Sequence, residues 1–327
     1  MKKKLLCAVL TAAMVMGMLT GCGSSAKSSA DGMDVSMAFC TWTGYSPMFI
    51  AKEKGYFSEA GINMDIQVIE DESTYTSLIT KGSIQFLATA VDPNIKMFAN
   101  GADDRYVLTM DNSNGADGLV CVADITSLDD LAGRSVALDK SASSYYFFLK
   151  ALEDSSLTEA DIDVVDMGDT TEAGLAFMSG QVDAAIMWEP ELSEALDSVE
   201  GAHALVTSAD YPDTIMDSLV VNTKFAQEHP EIVDAVANAW YKAVDFMNQN
   251  PDEAYELMAS GFEEVTAEDI AADCEGLDIY GKAENEALLS GAGGKSIFDI
   301  SQDMADFWME KGECKTNDLT AFFSLVK

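Results

Sequence analysis

Four short stretches of this chain combine aromatic rings with acids, hydroxyls and helix-starting residues: 42–47, 89–93, 139–145 and 187–190. That combination suits holding a small polar molecule rather than breaking one. Rings offer stacking surface and attract a cation over their faces by ~0.5–2 kcal/mol. Helix starts present free backbone N–H groups that take an anionic group without lysine or arginine. Across these stretches and the polar loop 111–118, Lys140 is the only basic residue, set against Asp92, Asp111, Asp117, Asp139 and Glu189. A bare nitrate or a multiply charged anion is therefore a poor match. A zwitterion fits better, its acid at a helix start and its ammonium on Glu189 or Asp92 beneath a ring.

Other chemistries lack their parts. The chain has two histidines, His203 and His229, neither near a nucleophile motif or a metal-ligand pattern. The segment 291–296 ends in Gly-Lys-Ser, but the first glycine of a phosphate loop is Leu289 here and no strand precedes it. In the loop 111–118 the third and fifth calcium positions are Ser113 and Gly115, and the twelfth is Val122. No dinucleotide glycine motif follows a strand. Catalysis, cofactor and metal are therefore not expected. Cys40 and Cys121 sit in apolar, strand-like runs and read as buried thiols; Cys274 with Cys314 is a weak disulfide pairing.

The elements that must position the four stretches alternate regularly. From Met33 onward, short apolar runs trade with helix-length amphipathic segments, the rhythm of an α/β protein with mainly parallel sheets. Strands are expected at 35–40, 84–88, 106–110, 119–122, 135–138, 163–166 and 184–188. Helices should open at Ser46-Pro47, at Asp92 as cap before Pro93, at Tyr145 and at Pro190. The junctions of such sheets line the cleft beyond the strand ends. The loop 111–118 marks a first crossing between domains and 218–222 a return, giving one domain of residues 33–117 and 222–327 and a second of 118–221.

Lys2, Lys3 and Lys4 precede an apolar run over 5–19, the layout of a secretory signal covering residues 1–21 and shorter than the ~20 residues of a membrane span. Leu19-Thr20-Gly21-Cys22 resembles the lipobox of bacterial lipoproteins, which implies lipid on Cys22 and a place on the outer face of the cell membrane. Residues 22–32 are small and polar, a tether with a reach of ~17 Å. Loss of residues 1–21, with three lysines and no acid, leaves 306 residues at a formal charge of −40, against −37 for the whole chain. So acidic a body excludes nucleic acid as partner, and anionic lipid repels it.

Over residues 33–261 the sequence resembles the solute-binding proteins of nitrate, sulfonate and taurine ABC importers, related to thiamine-precursor binders. The resemblance rests on Gly44-Tyr45-Ser46-Pro47 with Ala51-Lys52-Glu53-Lys54-Gly55-Tyr56-Phe57, on Ser127-Leu128-Asp129-Asp130-Leu131-Ala132-Gly133, on Gly180-Gln181-Val182-Asp183-Ala184-Ala185, and on Trp188-Glu189-Pro190. It implies a periplasmic-binding-protein-like fold of type II, two α/β domains joined by two crossing strands and closing on one small molecule. It also implies a permease and an ATPase as partners, a monomeric binding protein and no catalysis. Carried onto this chain, the ligand loops give Trp42, Tyr45, Asp92, Asn114, Ser143, Tyr145, Trp188 and Glu189 as candidate ligand residues. A taurine-like amino-sulfonate is the leading solute and an aminopyrimidine the second.

Overall fold

The computed structural model describes residues 32–263, 265–292 and 294–326. The signal segment 1–21, the lipidation position Cys22 and the tether up to residue 31 lie outside the described residues.

Strand β1 (Met33–Phe39) runs through a 3-10 turn at Thr43–Tyr45 into α1 (Pro47–Glu53). Then come α2 (Tyr56–Glu59), β2 (Ile62–Val68), α3 (Tyr75–Lys81), β3 (Phe86–Ala90), α4 (Val91–Ala99) and the long β4 (Asp104–Ser113). The chain crosses into β5 (Asp117–Cys121), followed by β6 (Ser135–Leu138), α5 (Ser143–Leu152), β7 (Asp163–Asp166), α6 (Thr170–Met178), β8 (Ala184–Trp188), α7 (Glu191–Ser198) and β9 (His203–Thr207). It returns as β10 (Met216–Asn222) and continues through α8 (Thr223–Glu228), α9 (Pro230–Gln249), α10 (Pro251–Ala259) and α11 (Ala267–Asp273). A short β11 (Leu277–Ile279) precedes α12 (Lys282–Ser290) and α13 (Ile297–Lys311).

Two sheets result, in the orders β11-β4-β10-β3-β1-β2 and β7-β6-β8-β5-β9. They are less parallel than the βαβ rhythm suggests. β1 pairs in parallel with β2 and β3, and β6 with β7 and β8. β10 runs antiparallel between β3 and β4, and β5 antiparallel between β8 and β9. The cause is the double crossing: a strand that has just arrived from the other lobe enters its sheet in the reverse direction. The return also falls earlier than expected, between β9 and β10, because residues 218–222 already lie inside the six-stranded sheet. The Cys274–Cys314 pairing is not made; Cys40, Cys121, Cys274 and Cys314 are all free.

Local chemistry explains the element ends. Gly55 takes φ 78° where α1 turns into α2, a conformation that costs a side-chain-bearing residue ~1–2 kcal/mol. Capping boxes at Thr158/Asp161, Thr266/Asp269 and Ser296/Asp299 start their turns. α9 buries Ile232, Val233, Val236, Trp240 and Val244 at helical spacing against the six-stranded sheet, each such chain contributing ~1.5–3 kcal/mol. α13 lies on α4 of the first lobe and also reaches α5 of the second, with the Trp308 ring 5.7 Å from both Tyr145 and Tyr146.

Candidate functional site

The ends of β1, β3 and β10 on one lobe and of β5 and β8 on the other converge on a narrow cleft with free space of about 20 Å³, room for about one water and far below the ~300–1,000 Å³ usual for ligand pockets, so a solute enters only as the lobes part. Trp42 and Trp188 meet across it edge to face, centroids 6.2 Å apart at 77°. One ring comes from each lobe, so the lobes are closed on each other.

On the first lobe, the turn after β1 is locked by the Ser46 hydroxyl donating to the Thr43 carbonyl at 2.6 Å, while the Thr43 hydroxyl donates to Asp273 at 2.6 Å. Gly44 is required by space: a Cβ there would stand 2.1 Å from Asp111 Oδ2 and 2.5 Å from Trp42 Nε1. That close approach lets Trp42 Nε1 donate to Asp111 Oδ1 at 3.3 Å and the Tyr45 hydroxyl donate to Asp217. Asp111 and Asp217 occupy directly opposed positions on β4 and β10, an arrangement that two ionised acids resist. At the end of β3 the Thr89 hydroxyl donates to Glu72 at 2.9 Å. On the second lobe, Asp117 opens β5 directly opposite Trp188 on β8, and Ser143 opens α5.

This acidic wall is held largely protonated. Burial pushes Asp117 up to about 8, with the Asp217 and Glu189 charges adding to it. Burial likewise raises Asp111 and Asp217, whose mutual repulsion favours one shared proton between them. Glu72 is raised by burial to about 8; its side chain keeps some surface open to the cleft, so water screens it more than Asp117. The Cys40 thiol is raised by burial and stays an unreactive SH. Among the described residues no lysine or arginine lines the cleft. Lys140 pairs with Glu159 at 2.7 Å, and Lys96 lies over the Trp308 ring at 4.3 Å. Among the described residues no three of His, Cys, Asp and Glu converge to hold a metal ion.

Of the eight residues expected at the ligand, Trp42, Tyr45, Ser143 and Trp188 line the cleft. The other four do not, for identifiable reasons. α4 begins at Val91 with Ala90 as its cap, so Asp92 is the second helical residue rather than the cap. Its buried carboxyl has no hydrogen-bond partner and is raised by burial to about 7, with the Trp308 indole beside it. α5 begins two residues before Tyr145, which turns that ring towards Trp308 and its hydroxyl onto Glu159 at 2.8 Å. Glu189 accepts from the Ser193 backbone N–H at 3.0 Å and hydroxyl at 2.9 Å, capping the start of α7. Asn114 is exposed on the crossing, its backbone N–H on the Gly276 carbonyl and its amide 3.4 Å from Asp278. Thr89 and Ala90 line the cleft from the expected 89–93 junction, while Cys40, Glu72, Ile215 and Asp217 line it from outside the four stretches. Asp217 does carry a signal, an acid that with Ser218 separates Met216 from the apolar run Leu219–Val221 of a strand.

The profile of the family described as NMT1/THI5 like matches residues 42–254. A Bacillus subtilis (strain 168) protein with the provisional name aliphatic sulfonates-binding protein is 28% identical over 264 residues, 79% of this chain and 77% of that protein. The taurine-binding periplasmic protein of Escherichia coli (strain K12) is 22% identical over 228 residues, 68% of this chain and 69% of its own. Among solved structures, the alkanesulfonate-binding protein SsuA from Xanthomonas axonopodis pv. citri bound to MOPS is 16% identical. It superposes with a TM-score of 0.69, covering 87% of this chain and 95% of that one. At that identity the likeness speaks for the fold, which is the two-domain periplasmic-binding-protein-like α/β arrangement implied by the sequence motifs. With the matched profile spanning most of both sheets and the tryptophans on either side of the cleft, the chain belongs to the NMT1/THI5 like family.

Proposed function

We propose that this chain is the solute-binding protein of an ABC importer, anchored by lipid on Cys22 at the extracytoplasmic face of the cell membrane. In this reading it is a monomer without catalytic activity. Its lobes, residues 33–113 with 216–327 and residues 117–207, pivot on the crossings after β4 and after β9. They close on one small solute and present it to a permease and its ATPase. The observation that carries the reading is the cleft itself: Trp42 and Trp188 from opposite lobes meet across it, and its lining includes Asp117, one of whose carboxyl oxygens is buried without a partner. Trp42, Tyr45, Ser143 and Trp188 are the contacts assigned to the solute. The solute needs a positively charged nitrogen, a feature shared by a taurine-like zwitterion and a protonated aminopyrimidine. The flat aminopyrimidine is the second reading, supported by the two indoles at the cleft.

Mass spectrometry of what copurifies with the protein, followed by melting with that compound, tests this. A ligand at a hundred times its dissociation constant stabilises by ~2.7 kcal/mol. Trp188→Ala should abolish that rise; a full rise in this variant refutes the cleft assignment. Fractionation tests the anchor: Cys22→Ser should leave the membrane fraction, and its retention there argues against lipid on Cys22.

A further inference from the structure

The donors on the first lobe's side of the cleft are already engaged by acids. Trp42 Nε1 serves Asp111, the Tyr45 hydroxyl serves Asp217 and the Thr89 hydroxyl serves Glu72. On the other lobe a solute meets the Ser143 hydroxyl, the Trp188 indole and the carboxyl of Asp117, which accepts once it gives up its proton. Asp117 is 1% exposed, lines the cleft, and its Oδ2 has no hydrogen-bond partner. A buried acceptor left unmatched is costly, and its partner here has to come with the solute. An anionic group finds no lysine or arginine in the described lining; it would rest on the Ser143 hydroxyl, the Trp188 indole, the helix starts at Ala90 and Ser143 and the protons the acids hold. A cationic nitrogen instead displaces those protons and meets carboxylate oxygens on one side and ring faces on the other. A bare metal ion is unsuited, because the acids do not converge as a ligand set among the described residues and two indoles take up the rest of the wall.

We infer that the solute is a small organic cation with no anionic group, gripped by Asp117, Asp217 and Glu72 beneath Trp42 and Trp188. This deepens the solute-binding reading and rests on it. It departs from the sulfonate named in the relatives, because the acids replace any basic partner a sulfonate would need.

Titration calorimetry with six probes tests the inference: choline, ethanolamine and guanidinium as cations, taurine as a zwitterion, ethanesulfonate and nitrate as anions. At least one cation should bind, and taurine, ethanesulfonate and nitrate should fail to displace it. Asp117→Asn should weaken that cation by about ten- to a hundredfold, the loss of one charge-assisted hydrogen bond. Glu72→Gln, at a partly exposed position, supplies a second variant expected to weaken it in the same direction. Silence of all three cations overturns the inference. Binding of taurine or ethanesulfonate in preference to every cation also overturns it, while leaving the solute-binding reading intact. Equal cation affinity in the parent and both variants overturns the assignment to these acids.

Discussion

Raising the pH from 5 to 7 should loosen the empty protein, and Asp117 supplies a measurable part of the effect. Its carboxyl is lifted by burial from 3.8 to about 8, so the folded chain holds a proton that the unfolded chain has released. A raised folded value means that this stability is fully present below about pH 4 and lost as pH climbs through about 8. Between those limits the unfolded state binds one proton fewer, and stability falls by about 1.4 kcal/mol per pH unit. A folded body of roughly 300 residues melts with an entropy of about 0.6 kcal/mol per kelvin. Asp117 alone therefore lowers the melting temperature by about 2 °C per pH unit, and one proton shared by Asp111 and Asp217 about doubles the slope. The assay is scanning calorimetry from pH 5 to 7 at constant ionic strength, on the parent and on Asp117→Asn. Self-repulsion in so acidic a chain loosens both proteins as pH rises, so the difference between the two lines is the diagnostic. The asparagine variant should show the shallower line by about 2 °C per pH unit and be the more stable protein at pH 7. Parallel lines would refute the buried, protonated Asp117.

Two further substitutions address the frame. Gly44→Ala drives a Cβ to 2.1 Å from Asp111 Oδ2; such overpacking should cost about 1–3 kcal/mol and lower solute affinity by displacing Trp42, and an unchanged melting curve contradicts it. Asn285 is buried on α12, accepting from the Thr109 backbone N–H and donating to the Thr109 carbonyl at 2.9 Å each. Asn285→Ala strands both groups of β4 and should cost about 2–4 kcal/mol in denaturant unfolding, and a loss below 1 kcal/mol would show that β4 is held from elsewhere.

Much of this architecture is legible in sequence because its signals are local. Glycines close helices, capping boxes open turns, and apolar runs of strand length fall where strands are found. Trp42, Tyr45 and Trp188 were findable for the same reason, each sitting at a junction with a glycine or proline nearby. The acids that line the cleft were harder. Asp217 faces Asp111 only because β10 inserts between β3 and β4, a pairing between segments far apart in the chain. Helix starts displaced by two residues were enough to turn Asp92 and Tyr145 away, since each step around a helix rotates a side chain by ~100°. Glu189 kept its expected position but found a local partner in Ser193.

In the proposed role, the Trp308 bridge to Tyr145 and Tyr146 bears on traffic at a permease. These rings join the lobes outside the solute space, so they weigh the same in an occupied and a vacant protein. At ~0.5–1.5 kcal/mol per aromatic pair, two pairs tilt the vacant molecule towards the shut shape by about 5- to 150-fold. A permease reading shape alone would be jammed by vacant molecules that resemble full ones. Under the organic-cation inference the distinguishing mark would then be charge: an occupied cleft would have traded protons for the cation, leaving its acids ionised.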